Sequence, residues 1–138
     1  MIDLHFHCLP GIDDGPPEWD AALELCRAAA AEGTTDIVAT PHVLRDPWLN
    51  ESRAEREELI AELNERLGGK PRIWPGCEYF FGSDALDLWT LIDGPLVGLN
   101  GSSSLLIEFP ATAIPREARA VFHELVLMGV TPVIAHPE

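Results

Sequence analysis

Residues 1–15 read MIDLHFHCLPGIDDG, and this stretch sets the terms for the rest of the chain. From Ile2 to Cys8 the sequence alternates as a strand does, so Asp3, His5 and His7 share one face while Ile2, Leu4, Phe6 and Cys8 share the other. The apolar face predicts packing against helices. The opposite face presents two imidazoles, a pattern that suits a metal pair and equally a solvated polar edge when taken alone. Pro10-Gly11-Ile12-Asp13-Asp14-Gly15 follows at once. Its two acids fit the positive end of the next helix dipole, or a ligand position beside the imidazoles.

Working outward, helix-like and strand-like stretches alternate. Glu18 to Glu32 predicts a helix that opens after Pro16-Pro17, stops at Gly33 and places Trp19, Ala22, Leu23, Cys26 and Ala30 on one face. Asp36 to Thr40 predicts a short strand ended by Pro41, and Asn50 predicts the N-cap of a helix to Leu67 with Leu59, Ile60, Leu63 and Leu67 inward and Gly68 past its end. Arg72 to Trp74 reads as a strand, Ala85 to Leu91 as a short helix and Ser104 to Phe109 as a strand. Pro115 opens a helix through Val121, Phe122, Leu125 and Met128, closed by Gly129, and Thr131 to Ala135 is the last strand. Short apolar strands alternating with amphipathic helices predict an α/β fold with a parallel sheet or barrel, and 138 residues predict one domain over 1–138. Thr131 to Ala135 has no covering helix after it, which predicts a piece of something longer.

The event at His5 and His7 recurs along the chain. Ile37-Val38-Ala39-Thr40-Pro41 delivers His42, Leu105-Leu106-Ile107 delivers Glu108, and Val133-Ile134-Ala135 delivers His136. Glu78 comes just after Ile73-Trp74-Pro75-Gly76-Cys77. The carboxyl ends of parallel strands converge on one rim, where α/β active sites are built. Each residue alone could be a packed histidine or a surface acid. Five strands doing the same thing predict a shared site of imidazoles and carboxylates, a donor set that suits Mn²⁺, Fe or Zn²⁺. So many donors exceed one ion and predict two or three, whose usual work is activating water and clamping a phosphate. Arg45, on the segment after His42, is the nearby candidate for a phosphate contact. His123, mid-helix, reads as a surface or interhelical residue; Trp48 and Trp89 as packing or pocket lining; Cys8 and Cys77 as small apolar fillers.

Charge narrows the function classes. With 9 Lys+Arg against 23 Asp+Glu the formal net charge is −14, which argues against nucleic acid or an anionic membrane as partner. Bound divalent cations would offset part of that charge where an anionic substrate approaches. No apolar run approaches the roughly 18 residues of a membrane span, and Met1 to Gly11 has no cationic leader pattern. Cys8, Cys26 and Cys77 form no CxxC pair, which predicts reduced thiols and a cytoplasmic setting, and none is followed six residues later by the arginine of a cysteine-dependent phosphatase.

The segments DLHFHCLPGIDDG, IVATPH, GCEYFF, LIEFP and GVTPVIAHPE resemble the PHP (polymerase and histidinol phosphatase) superfamily, and within it the bacterial protein-tyrosine phosphatases of capsule and exopolysaccharide synthesis. The resemblance runs through the whole chain. It implies a PHP-type distorted (β/α)₇ TIM-like barrel binding three metals, usually manganese. Carried over by position, His5, His7 and Glu78 would hold one ion, Asp14 and His42 a second, and Glu78 would bridge to a third held by Glu108 and His136. His42 and His136 are expected to be catalytic, together with Arg45, which is the nearby candidate for the phosphate contact rather than a residue carried over from the family. The family's later Asp-x-His pair and the arginine after its His-Pro-Glu turn have no counterpart before Glu138, so these residues are expected to supply the N-terminal part of the barrel. The implied activity is metal-dependent hydrolysis of phosphotyrosine, with a bacterial tyrosine kinase governing polysaccharide export as substrate and a homo-oligomer left open. A histidinol-phosphatase-like or other small-molecule phosphoesterase, and a non-catalytic remnant binding metal or a partner, stand as alternatives.

Overall fold

The structure is a computed structural model that describes residues 1–50, 52–81 and 97–137. The strands are β1 (Ile2–Phe6), β2 (Asp36–Ala39), β3 (His42–Val43), β4 (Arg72–Pro75), β5 (Glu78–Phe80), β6 (Ser104–Glu108) and β7 (Thr131–Ile134). The helices are α1 (Trp19–Ala31), α2 (Arg53–Leu67) and α3 (Ala118–Leu127), with a 3₁₀ turn at Leu99–Gly101. The sequence-predicted helix at Ala85–Leu91, and Trp89 with it, lie outside the described residues.

Every strand pair is parallel, in two sheets ordered β1-β2-β4 and β3-β5-β6-β7. Two chain segments belong to both sheets. β2 runs through Thr40-Pro41 into β3, and β4 runs through Gly76-Cys77 into β5. The expected single strands at Asp36–Thr40 and Arg72–Trp74 are therefore corrected to longer, interrupted ones. The interruptions have local causes. Pro41 has no N–H to give to a ladder. At Gly76 a Cβ would lie 2.7 Å from Val38 Cγ1 and 3.1 Å from the Ala39 carbonyl, so only glycine lets the neighbouring backbone pass so closely. Single backbone bonds span the breaks: Thr40 N–H donates to Phe6 O and Glu78 N–H to Pro41 O, both at 3.0 Å. The result is a wall of parallel strands with its chain segments in sequential order.

Both faces of this wall are covered over much of its extent, which is why its strands read as continuous apolar runs. Ile37, Ala39 and Ile73 pack with Ala22, Cys26, Ile60 and Leu63 of α1 and α2. Leu105 and Ile107 pack with Val121 and Leu125 of α3, while Val38, Leu106 and Ala135 form a third cluster. Cys8 and Cys77 sit in these cores as buried fillers, and all three thiols are free.

Several sequence expectations shift. Ile2 and Leu4 are exposed rather than packed: among the described residues β1 is an edge of its sheet, pairing there with β2 alone. Met128 is exposed beyond the end of α3, so the inward face of that helix is Ala118, Val121 and Leu125. The cap of α2 is Ser52, whose hydroxyl accepts the Glu55 N–H at 3.3 Å, and not Asn50. Gly68 ends α2 in the left-handed conformation, as its position predicts.

Candidate metal centre

The carboxyl ends of the strands meet on one rim. β1 supplies His5 and, one residue past its end, His7; β3 opens with His42; β5 opens with Glu78; β6 ends in Glu108; and the turn after β7 carries His136. Parallel register explains the convergence, since His42 pairs directly with Glu78, and Phe80 with Glu108. Ala135 N–H donates to Ile107 O at 2.9 Å and brings His136 to the same level.

Glu78 is the centre of the arrangement, completely buried. His5 Nε2 lies 3.1 Å from its Oε1, His7 Nε2 3.1 Å and His42 Nδ1 3.0 Å from its Oε2, and His136 Nε2 3.4 Å from its Oε1. Despite these approaches, neither Glu78 oxygen nor His42 Nδ1 makes a directed hydrogen bond. A buried carboxylate ringed by imidazoles without hydrogen bonds is unfavourable for the chain by itself. It fits a divalent cation, which is satisfied by lone pairs converging on a point. Three triads offer donor atoms within 4.8 Å of one another: His5, Glu78 and His136; His7, Asp14 and His42; and His42, Glu78 and Glu108. His7 faces two of these groups at once: its Nε2 lies 3.3 Å from His5 Nε2 and 3.1 Å from Glu78 Oε2, while its Nδ1 lies 3.5 Å from Asp14 Oδ1. His136 approaches the same His5–Glu78 pair from the other end of the rim.

The two acids of the Asp13-Asp14 pair divide their work. Asp13 takes His7 Nδ1 at 2.8 Å, the Gly15 N–H at 2.9 Å and the His42 N–H at 3.2 Å, so it braces two imidazole-bearing segments. Gly15 is required by that turn, for a Cβ there would lie 2.9 Å from both Asp13 Oδ1 and the His7 carbonyl. Asp14 is half exposed and faces His42 Nε2 at 3.4 Å. With only the protein's charges present, His7 is pushed up to about 10: burial works against its charge, but the Asp13 and Glu78 carboxylates outweigh that. Burial also opposes ionisation of Glu78, yet His42, His5 and His7 hold it well below the usual carboxylate range. The field of the site favours positive charge.

Around His42 three further residues matter. Trp48 stacks on its ring at 5.4 Å between centroids and 13° between planes, so this tryptophan packs directly against the site. Asn50, in the left-handed region at φ 45°, donates its amide to both Ile12 O and His42 O at 2.8 Å. Sequence reasoning assigned Asn50 to a helix cap; its readable signal was an asparagine in a loop, where left-handed backbone is tolerated. Arg45 Nη1 donates to both Glu108 oxygens at 2.8 Å and to His42 Nε2 at 3.0 Å. His123 is exposed on α3. A cavity of about 300 Å³ opens over the rim between His5, His7, Asp14, His42, Arg45 and His136.

The chain is similar to several known proteins. The chain is 38% identical to the putative tyrosine-protein phosphatase CapC of Staphylococcus aureus and 40% identical to the tyrosine-protein phosphatase YwqE of Bacillus subtilis, in each case over 100% of this chain and 54% of that protein. It is 30% identical to the tyrosine-protein phosphatase CpsB of Streptococcus pneumoniae, over 57% of that protein. The chain thus spans about half the length of the curated relatives it matches. A solved chain from the crystal structures of YwqE and CpsB, described as unique metal-dependent tyrosine phosphatases, superposes with a TM-score of 0.84 at 40% identity, covering 99% of this chain and 56% of that one. A family profile for capsular polysaccharide synthesis, CpsB/CapC, matches residues 1–138. By that match over its full length, and with the α/β architecture shared with the solved relative, the chain belongs to the CpsB/CapC family of capsular polysaccharide synthesis.

Proposed function

We propose that this chain provides the metal-binding wall of a metal-dependent protein-tyrosine phosphatase, the activity named for its relatives. The observation that carries the reading is Glu78, a buried carboxylate without hydrogen bonds at the focus of four imidazoles. On this reading the wall is the N-terminal part of a PHP-type distorted (β/α)₇ barrel, and the metal ligands are His5, His7, Asp14, His42, Glu78, Glu108 and His136. The proposed ions are two or three Mn²⁺, with Fe or Zn²⁺ compatible with the same mixed nitrogen and oxygen donors.

Bound divalent cations supply Lewis acidity, polarising phosphoryl oxygens and lowering the pKa of water. The chain's own residues set the geometry. Glu78 and Glu108 fix negative charge on the floor of the rim, and Asp13 orients the His7 ring and the His42 backbone. Arg45 lines the cavity mouth, where its guanidinium is proposed to contact the phosphate. Phenolate, with a parent pKa of about 10, leaves far more readily than an alkoxide, so a strong general acid is not needed. The substrate class is a phosphotyrosine protein, with a bacterial tyrosine kinase of polysaccharide export as the proposed partner and the cytoplasm as the proposed setting. Three free thiols agree with that setting. Among the described residues no helix is long and apolar enough to cross a membrane.

The test is turnover of a phosphotyrosine peptide, a phosphoserine peptide and histidinol phosphate by the natural gene product with Mn²⁺. Mn²⁺-dependent preference for phosphotyrosine is expected. Preference for histidinol phosphate would move the assignment to a small-molecule phosphoesterase, and tight Mn²⁺ binding without any turnover would make the protein a binding remnant.

A further inference from the structure

The Arg45 guanidinium occupies ground that a cation would need. Its Nη1 lies 2.8 Å from both oxygens of Glu108 and 3.0 Å from Nε2 of His42, so a single nitrogen touches two of the three donor triads at once. His42 belongs to both of those triads, through Nε2 toward Asp14 and through Nδ1 toward Glu78 and Glu108. A neutral imidazole has one lone pair. When Arg45 donates to Nε2, that lone pair is used and the ring proton sits on Nδ1. In this state His42 offers a lone pair to neither triad, and Glu108 is already paired with a positive charge.

The side chain is held there from several directions. A tight turn brings Arg45 N–H to Trp48 O at 3.2 Å and Leu44 N–H to Leu49 O at 3.0 Å. The guanidinium carbon lies 5.8 Å from the Trp48 ring centroid and 5.6 Å from that of Phe80. Yet the Arg45 side chain is about a third exposed at 32%, whereas the His42 and Glu108 side chains beneath it are 4% and 12% exposed, so its withdrawal into solvent uncovers the donors that an ion would take up.

We propose that Arg45 is a resident cation that competes with a divalent ion for His42 and Glu108, and that filling of this part of the centre requires the guanidinium to withdraw. The inference rests on the metal-binding reading of the rim. Removing the arginine frees the His42 Nε2 lone pair and both Glu108 oxygens, and removes a positive charge within contact distance of the ion's ligands.

Titration calorimetry with Mn²⁺ on the natural protein and its Arg45→Met and Arg45→Lys variants tests this. Methionine keeps an unbranched stem against Trp48 and Phe80 but has no N–H and no charge. The weakest-bound Mn²⁺ is expected to bind at least about tenfold more tightly to Arg45→Met, with Arg45→Lys between the two. Equal or weaker binding by Arg45→Met would overturn the proposal. A second measurement uses the unaltered protein: ¹⁵N resonances of the Arg45 guanidinium followed during a Zn²⁺ titration should lose their hydrogen-bonded signature as the centre saturates, and an unchanged signature at saturation would overturn it. If neither natural protein nor variant binds an ion, the metal reading falls with the proposal. If both bind equally well, only the role of Arg45 falls.

Discussion

His42 and His136 stand just beyond apolar strands on the same rim, yet their surroundings are opposites. The His42 side chain is 4% exposed, stacked on Trp48, with its N–H on Asp13 and its carbonyl on Asn50. The His136 side chain is 58% exposed and approaches Glu78 at 3.4 Å from a residue with φ 49°. The difference follows from the wall and its loops. His42 opens β3, which pairs with β5, and loop residues Asp13, Trp48 and Asn50 close around it, whereas His136 follows β7, which pairs with β6 alone among the described residues and leaves Val133 and Ile134 exposed. A strand end gives a side chain its direction. The loop residues packed around that end decide how firmly it is held.

The comparison breaks most completely at Glu78, because both histidines lean on the same carboxylate. On the proposed metal-binding reading, Glu78→Gln is expected to weaken divalent-ion binding by more than about 100-fold, read by calorimetry, since it removes the carboxylate charge of a ligand rather than a brace. A smaller loss than in His136→Ala would reverse the ranking. Next comes the packing behind each region. Leu125→Ala, at a side chain with no exposure, should cost about 3 kcal/mol in urea unfolding, while Ile134→Ala at the exposed margin should cost less than about 1 kcal/mol. Comparable losses would mean that the margin is covered in solution. The comparison sharpens at Asn50, which has no equivalent beside His136. Asn50→Ala leaves the buried His42 carbonyl without its amide donor and should cost about 1–2 kcal/mol, with roughly tenfold weaker ion binding. The smallest effect is expected for Ser52→Ala, about 1 kcal/mol by thermal unfolding with ion affinity unchanged.

Much of this was legible because the relevant signals are local. Strand–helix alternation gave the α/β class, and an imidazole or carboxylate at each strand end marked the rim. Gly33, Gly68 and Gly129 marked where helices stop, and all three have positive φ. What escaped was set by contacts between segments far apart in the chain. Nothing around Asn50 announces that its amide will reach Ile12, 38 residues away. The Ser52 cap, by contrast, is local and legible, since Ser52 and Glu55 have the spacing of a capping box. The outward exposure of Ile2 and Leu4 goes with β1 being a sheet edge among the described residues, which alternation alone does not encode. The division of Asp13 and Asp14 into brace and rim acid also required the fold, since both fit the same turn chemistry.

The break of the wall at Pro41 and Gly76-Cys77 has a consequence for cooperativity. β1, with His5 and next to it His7, belongs to one sheet, whereas His42, Glu78 and Glu108 belong to the other. On the proposed reading, an ion shared across that seam would be a staple between two hydrogen-bonded ladders. At an ion concentration 100 times its dissociation constant it adds about 2.7 kcal/mol to the state in which both sheets are formed. Amide protons of the two sheets would then exchange as separate groups in chelator and as one group with the ion bound, so loading the centre turns two opening units into one.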